Sequence, residues 1–204
     1  AIGSNIRVDT YGWEVKRVLP RINEDINEEW ISDKTRYSCD GLKNQRLDKP
    51  YLKNGENFSK IEWSEAYKIL TEKIKTTSPE KIAGITGDLT NMETLYIIKE
   101  FFNKTIKSKY LDCRHQDLYI NNNDRKNYLF NSLINGIEES DLILLLSTNP
   151  RYEATILNAR IRKSYINNNT EIYSIGDVGD LTYPYTKIEN NTEIIKKIIE
   201  KKHF

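Results

Sequence analysis

The five residues Leu142–Leu146 form an uninterrupted apolar run, which constrains the fold more than any other feature of the sequence. A strand of a parallel sheet that is covered on both faces has this pattern, because neither face meets water. Asn149 and Pro150 follow as helix N-cap and first helical residue, which predicts a helix from there through Tyr165. Glu171–Ile175 is predicted to be the next strand, so this region is predicted to be strand, helix and strand.

The same alternation extends over the preceding part of the chain. Ser64 is predicted to be a helix N-cap, and Thr90 with Glu93 three residues later has the spacing of a capping box. Residues 61–204 are therefore predicted to form a doubly wound α/β domain with a mainly parallel sheet. The other predicted elements are strands at Lys81–Ile85 and Tyr110–Cys113, a helix through Lys104, and a last helix at Ile194–Lys202.

Residues 1–60 have a different pattern and are predicted to form a small subdomain of their own. Ile6–Val8 and Glu14–Leu19 are β-like and are joined through Tyr11-Gly12, which predicts a hairpin. Residues 20–60 are predicted to be mostly irregular, with turns at Asp40-Gly41 and Asn54-Gly55.

Charge and hydropathy exclude two classes of partner. Lys and Arg total 31 against 30 Asp and Glu, a formal charge of +1, so no basic face of the kind that binds nucleic acid is implied. No apolar run approaches the roughly 20 residues of a membrane-spanning helix. The first residues lack the features of a signal or transit peptide, so the chain is expected to work where it is made or to be already processed.

The sequence contains two cysteines, Cys39 and Cys113. Two cannot form a disulfide framework, and a cubane iron–sulfur cluster is normally held by four thiolates, so the chain is predicted to hold no cluster by itself. Cys113 and His115 have a Cys-x-His spacing, but with His203 the only other histidine no third metal ligand is evident. A buried cysteine and a surface histidine are expected there.

Three blocks of sequence resemble one family. They are Glu14–Leu47 (EVKRVLPRINEDINEEWISDKTRYSCDGLKNQRL), Ile137–Tyr165 (IEESDLILLLSTNPRYEATILNARIRKSY) and Gly176–Tyr185 (GDVGDLTYPY). Together they resemble the large iron–sulfur subunit of respiratory complex I, the proton-pumping NADH:quinone oxidoreductase. The resemblance lies after that family's iron–sulfur half, in a portion that is similar to molybdopterin oxidoreductases but works without molybdenum. The family's domain continues beyond Phe204, so the α/β domain is expected to be incomplete, as a fragment or split-gene product.

This resemblance implies a structural role in the peripheral arm of complex I, which as a whole passes electrons from NADH to ubiquinone and translocates protons. The chain is expected to carry no catalytic residue and no redox centre, while FMN and iron–sulfur clusters lie elsewhere in the complex. Its expected partners are other peripheral-arm subunits, above all the polypeptide with the iron–sulfur half. Its expected place is the matrix side of the mitochondrial inner membrane, or the cytoplasmic side of a bacterial inner membrane.

The resemblance also identifies two sites that are expected to be lost. The loop matching Ser147–Pro150 looks like a cofactor contact in active molybdopterin enzymes, which often have glycine where this chain has Ser147. A serine is expected to crowd a phosphate, so the loop is expected only to cap a helix. Ser4 and Ser32 stand where cluster-bearing relatives have cysteines, and Cys39, a few residues further on, is expected to be a packing residue.

Four residues are candidates for an interface. The acidic stretch before Trp30 fits a solvated turn, but we favour a contact in which Trp30, Ile31 and Tyr37 anchor the segment against a neighbouring domain. Arg160 lies in the basic stretch Ala159–Lys163, which compensation of the helix dipole explains; an interface role for Arg160 is the alternative.

Two other functions stay open at this point. One is a chain of a two-chain molybdopterin oxidoreductase similar to formate dehydrogenase, against which the missing cysteines and Ser147 argue. The other is a cofactor-free interaction module outside respiration.

Overall fold

The computed structural model describes residues 2–87, 89–113, 120–188 and 191–202. Its strands are β1 (Ile6–Tyr11), β2 (Glu14–Pro20), β3 (Tyr51–Asn54), β4 (Asn57–Lys60), β5 (Gly84–Ile85), β6 (Leu111–Asp112), β7 (Leu142–Leu146), β8 (Glu171–Ile175) and β9 (Thr186–Ile188). Its α-helices are α1 (Asp33–Arg36), α2 (Trp63–Thr76), α3 (Met92–Glu100), α4 (Pro150–Glu153), α5 (Thr155–Asn168) and α6 (Thr192–Ile199). Short 3-10 helices lie at Ser38–Leu42, Pro79–Lys81, Arg125–Asn127 and Asn135–Glu139, and a π-helix lies at Phe101–Ile106.

The chain divides into two compact units, residues 1–45 with 128–204, and residues 46–127. The predicted division at residue 60 does not coincide with these units. The reason is that the loop after β2 contacts α5. Arg160 of that helix donates to the Ile26 carbonyl, and Lys163 forms an ion pair with Glu28. Residues 2–45 therefore belong with the sheet that follows residue 128.

The sheet of the first unit is parallel, with strand order β7-β8-β9. Side chains alternate across it, so that Leu145 and Ile172 pack under Ile161 of α5, on one face. On the other face, Ile175 and Ile188 pack under Ile194 of α6. Helices thus cover both faces, and the predicted α/β class with a parallel sheet is confirmed.

The strand β7 has the bounds predicted from its apolar run, but the prediction that both its faces are covered is wrong for its ends. The Leu142 and Leu146 side chains are 42% and 52% exposed, and only Leu145 is buried. Among the described residues β7 pairs with β8 alone, so it is an edge strand, and the helices of this unit reach only its middle.

The helix after Asn149 begins where predicted but is not continuous. Ala154, at φ −148° and ψ 68°, separates α4 from α5. The helix also continues past the predicted end at Tyr165 and stops at Asn169, whose φ of +54° is left-handed.

The predicted N-terminal hairpin is confirmed. β1 and β2 pair antiparallel, with Val8 opposite Val18. Val18 is buried beneath Ile31 and Cys39, so the segment after the hairpin folds back over one face of it.

The second unit contains a hairpin that was not predicted from the sequence, β3 with β4 around Gly55, whose φ is +63°. A parallel pair, β5 with β6, lies at the two strands predicted there, though each is shorter than predicted. The Phe102 ring lies so close to Gly84 that a Cβ there would come within 2.6 Å of it.

Both helix caps predicted in the second unit are wrong. The N-cap of α2 is Glu62, two residues before the predicted Ser64, and it makes no side-chain cap. At α3 the N-cap is Asn91, not Thr90: its Oδ1 accepts a hydrogen bond from the Thr94 N–H at 2.8 Å. The α-helical part ends at Glu100, and the turns to Ile106 are π-helical. The last helix of the first unit, α6, also ends earlier than predicted, at Ile199.

Candidate functional site

The carboxyl edge of the parallel sheet in the first unit is where an open α/β sheet binds ligands. β7 ends at Leu146, and Ser147 follows with a φ of +48°, in the left-handed region that favours glycine. Its N–H and its hydroxyl both donate to the carbonyl of Ile175, at 2.8 and 3.3 Å. A Cβ on Gly176 would lie 2.6 Å from the Ser147 Oγ, so the residues that follow β7 and β8 pack closely against each other.

Asn149 caps α4 as predicted and also holds the loop after β8. Its Oδ1 accepts from the Tyr152 N–H at 3.3 Å, while its Nδ2 donates to the Val178 carbonyl at 2.6 Å. The Asn149 N–H donates to the Glu153 carboxylate at 2.7 Å. Both ends of the Asn149 amide are therefore used within the chain.

An exposed ion pair also holds the loop after β8 against the start of α4. Arg151 Nη1 lies 2.5 Å from Asp180 Oδ2. The Thr182 N–H, and then the Arg151 guanidinium, lower the pKa of the Asp180 carboxyl below its usual value. The β8–β9 loop is thus fastened to the start of α4 by both an amide and a charge.

Two donors at this edge are not free to bind a molybdopterin-type cofactor. A phosphate at such an edge is bound by free N–H groups at a helix N-terminus. The N–H groups of Ser147 and Asn149 instead donate within the chain. The Glu153 carboxylate occupies the position at the helix start where an anion would otherwise be favoured, and its charge would repel a phosphate.

In the N-terminal segment, Ser32 serves as a helix cap and Cys39 as a packing residue. Ser32 is the N-cap of α1 and its hydroxyl accepts from the Thr35 N–H at 3.3 Å. Cys39 is 8% exposed and packs on Val18, as expected of a packing residue. Since Cys39 is the only cysteine in the first 40 residues, this segment does not by itself offer the four thiolates that a cubane cluster normally needs.

The candidate interface residues fall into two pairs. The Trp30 and Tyr37 side chains are 58% and 62% exposed, while Ile31 is buried in the same apolar cluster as Cys39. Arg160 is 3% exposed. Ile31 and Arg160 therefore make their contacts inside the chain, and of the four only Trp30 and Tyr37 are exposed enough to meet a neighbour.

The helix-dipole interpretation of Arg160 is wrong. α5 runs to Asn168, so Arg160 lies before its last turn, which contains no basic residue. The guanidinium turns instead to three oxygens: the carbonyls of Ile26 (3.0 Å) and Glu24, and the Glu138 carboxylate (2.5 Å). A buried arginine needs such partners, but they lie 22 to 136 residues away, and helical periodicity does not predict them.

Two asparagines are among the buried polar residues that the sequence analysis did not identify. Asn27 is fully buried and organises the loop after β2. Asn158 donates to the Leu181 carbonyl at 3.1 Å and accepts from the Tyr183 hydroxyl at 2.8 Å, and burial raises the pKa of Tyr183. In the runs Asp-Ile-Asn-Glu and Leu-Asn-Ala-Arg, Asn27 and Asn158 stand beside apolar residues. That proximity is the only sequence signal of their burial.

The Cys-x-His candidate is only partly described. Cys113 is exposed, so the expectation of a buried cysteine is wrong. His115 and His203 lie outside the described residues. Within the ranges that are described, no three His, Cys, Asp or Glu side chains converge as a metal site requires. Nor does any helix there combine the length and apolar character needed to cross a bilayer.

Comparison with known families gives two matches that together span most of the chain. Residues 46–204 match the model described as Molybdopterin oxidoreductase. Residues 1–40 match the model described as NADH-ubiquinone oxidoreductase NDSU1/NuoG-like, 4Fe-4S domain. The junction of the two matches lies at the 3-10 helix that ends at Leu42.

Several curated proteins are similar to the chain over almost its whole length. The NADH-ubiquinone oxidoreductase 78 kDa subunit, mitochondrial, of Candida albicans is 43% identical over 98% of this chain and 28% of its own length. The NADH-ubiquinone oxidoreductase 75 kDa subunit of Reclinomonas americana is 42% identical over 100% of this chain and 31% of its own. An NADH-quinone oxidoreductase subunit of Rickettsia conorii is 42% identical over 97% and 29%. The chain thus spans about three tenths of the length of these relatives.

Proposed function

The chain belongs to the molybdopterin oxidoreductase family, and from this premise we propose that it is a structural part of the peripheral arm of complex I, the proton-translocating NADH:ubiquinone oxidoreductase. One observation carries the proposal: subunits named for that enzyme match 97–100% of the chain at 42–43% identity. The chain would contribute architecture to an enzyme whose electron carriers are held elsewhere.

The thiol count supports a part without a redox centre. Of the two cysteines, Cys39 is buried in an apolar cluster and Cys113 is exposed in the other compact unit. Neither has the neighbours of a cluster ligand among the described residues. The iron–sulfur clusters and FMN of the complex are therefore assigned to other segments or subunits, although residues 1–40 match a 4Fe-4S domain model.

The carboxyl edge of the sheet supports the loss of the pterin. Ser147 and Asn149 bind the chain's own carbonyls, and Glu153 places a negative charge at the helix start. Because the Ser147 and Asn149 donors are already satisfied, they would gain little by binding a phosphate. We assign this edge the role of fastening α4 to the loop after β8.

The partner that fits best is the polypeptide with the iron–sulfur half, together with other peripheral-arm subunits. Trp30 and Tyr37 are exposed on the segment that matches the 4Fe-4S domain model. Exposed aromatic side chains of this kind are frequent anchors of protein interfaces. Relatives in mitochondria and in bacteria suggest the matrix side of the inner membrane or the bacterial cytoplasmic side.

Purification of the chain with its native assembly tests the proposal. An affinity tag on the chain should recover an assembly that oxidises NADH, contains flavin and iron, and reduces ubiquinone. An assembly without flavin and without NADH oxidation would refute a place in complex I.

The same family match also favours the two-chain molybdopterin oxidoreductase as a second candidate. The two are separated by metal analysis of the same preparation. Molybdenum or tungsten in a 1:1 ratio to the chain would support the second candidate, and the absence of both beside abundant iron would support the first.

A further inference from the structure

Arg160 is the one charged side chain that is buried within the described part of the chain. Its Nε donates to the Ile26 carbonyl at 3.0 Å, its Nη2 to the Glu24 carbonyl, and its Nη1 to Glu138 Oε1 at 2.5 Å. The guanidinium thus binds two backbone carbonyls of one loop and a carboxylate of another element at once. Its planar fork of donors suits this arrangement, and an ammonium group could not reproduce it.

The loop that Arg160 binds, residues 23–30, is held in one shape by its own contacts. The N–H groups of Asn27 and Glu28 both donate to the Asn23 carbonyl, at 3.1 and 2.7 Å. The fully buried Asn27 side chain donates to the carbonyls of Arg21 and Trp30, both at 3.1 Å, and accepts from the backbone N–H just before β1 at 2.8 Å. Loop 23–30 is therefore a preformed unit that Arg160 fastens as a whole.

A second cation reinforces the attachment. Lys163, one turn further along α5, lies 2.5 Å from Glu28 and 3.1 Å from Glu138. The Glu28 and Glu138 carboxylates raise the pKa of the Lys163 ammonium. Glu138 is thus shared by both cations. Arg160, Lys163, Glu138 and loop 23–30 are here called the Arg160 clamp.

The Arg160 clamp joins the two stretches that match different families. Loop 23–30 lies in the stretch matching the 4Fe-4S domain model, and α5 lies in the stretch matching molybdopterin oxidoreductases. We infer that Arg160 is a positioning residue that fixes the iron–sulfur-type segment on the α/β sheet. This inference concerns two segments of one chain and holds whichever assembly the chain belongs to.

The Arg160 clamp also holds the turn that carries Trp30. The Trp30 carbonyl is bound by Asn27, and Ile31 is buried beside it. The Trp30 indole, 58% exposed, therefore stands on a turn that is held from both sides. A contact residue fixed in this way loses little conformational entropy when a partner binds it.

Hydrogen–deuterium exchange on the full chain, purified with its assembly, tests the clamp. The variant is Arg160→Met, and the matched control is Arg162→Met on the same helix, where Arg162 is exposed and donates to the Thr182 carbonyl at 3.3 Å. Arg160→Met should lower the protection of the Asn27, Glu28 and Trp30 amides at least tenfold. Protection of the β8 amides should stay within twofold, because Lys163 still neutralises Glu138.

Three results would overturn the inference: unchanged exchange in loop 23–30, the same loss in Arg162→Met, or an equal loss in β8, which would make Arg160 a general support of the sheet. If Arg160→Met does not accumulate, Arg160→Lys and Glu138→Gln replace it. Each removes part of the clamp, so each should lower the protection of loop 23–30 by at least threefold and leave β8 within twofold. A loop that stays protected in both variants would equally refute the clamp.

Discussion

Asn27 shows how one side chain can hold a loop that has little regular structure. It is fully buried, and its amide makes hydrogen bonds on both its oxygen and its nitrogen. Asn27→Ala would leave several backbone groups buried without partners, and we expect it to lower the free energy of unfolding by about 2–4 kcal/mol. The matched control is Asn167→Ala on the exposed side of α5, which should change it by less than about 0.5 kcal/mol. Chemical denaturation measures both, and equal effects would contradict this role.

We expect substitutions at two buried serines of the first unit to change the free energy of unfolding in opposite directions. In the described part of the chain, the Ser174 hydroxyl is buried without a hydrogen-bond partner. Ser164 Oγ, by contrast, lies 2.5 Å from the Thr170 hydroxyl. Ser174→Ala should therefore raise the free energy of unfolding by about 1 kcal/mol, and Ser164→Ala should lower it by about 1 kcal/mol. Thermal melts of the two variants decide this, and destabilisation by Ser174→Ala would show an unrecognised partner.

Glu14 gives a prediction about acid. Hydrogen bonds from Lys16, and then from Lys43, lower the pKa of Glu14 from 4.5 to about 2. A carboxyl whose pKa is lower in the folded state stabilises the fold above its ordinary pKa, and that contribution is lost as the pH falls from 4.5 towards 2. NMR titration of Glu14 should therefore show a midpoint near 2 in the folded chain. Lys43→Met should move that midpoint upward, and an unchanged midpoint would exclude Lys43 as a cause.

At the scale of elements, local patterns predicted what local physics decides. The bounds of β7 followed from its uninterrupted apolar run, β8 lies where the next strand was predicted, and the Asn149-Pro150 cap followed from stereochemistry within four residues. Helix starts were harder, because neighbouring residues compete for one cap. Thr90 and Asn91 are both good N-caps, and the chain uses the second.

The cap of α3 can be tested directly. Asn91 Oδ1 accepts from the Thr94 N–H at 2.8 Å, so Asn91→Ala should destabilise the second unit by about 1 kcal/mol. Thr90→Ala should have an effect near zero, since Thr90 is not the N-cap. Helix content by circular dichroism during denaturation measures both. If Thr90→Ala destabilised the second unit more than Asn91→Ala, the capping box predicted from the sequence would be correct and Asn91 would not be the N-cap.

Contacts between distant segments could not be predicted from the sequence. The partners of Arg160 lie up to 136 residues away in the sequence. The sequence pattern indicates only that Arg160 belongs to a basic stretch of a helix. Ile31 is predicted from the sequence to anchor an interface together with Trp30 and Tyr37, yet the fold buries it beside Val18. The hairpin β3–β4 was missed because its strands are short and polar, with an alternation too weak to stand out.

At the scale of the whole molecule, the low apolar content and the exposed apolar side chains both indicate contact with other polypeptides. Apolar residues make up 38% of the sequence, low for an independent α/β domain, and many large apolar side chains are nevertheless exposed in both units. Such surface commonly marks contact with other polypeptides. This is what we expect of a part that spans about three tenths of its relatives' length. The exposed apolar side chains in the first unit include Tyr11, Trp13, Ile22, Trp30 and Tyr37, and in the second unit Leu47, Phe58, Tyr67, Ile85 and Leu89.

We propose above all that this chain supports electron carriers without binding one, and its two thiols allow a direct test. The measurement is electron paramagnetic resonance of the NADH-reduced native assembly carrying Cys39→Ala and Cys113→Ala together, beside the unaltered assembly. Alanine keeps a small apolar group at the buried site of Cys39. We predict that every iron–sulfur signal keeps its position and its intensity relative to flavin. Loss of even one cluster signal in the variant would show that this chain ligates a cluster and would contradict the proposal.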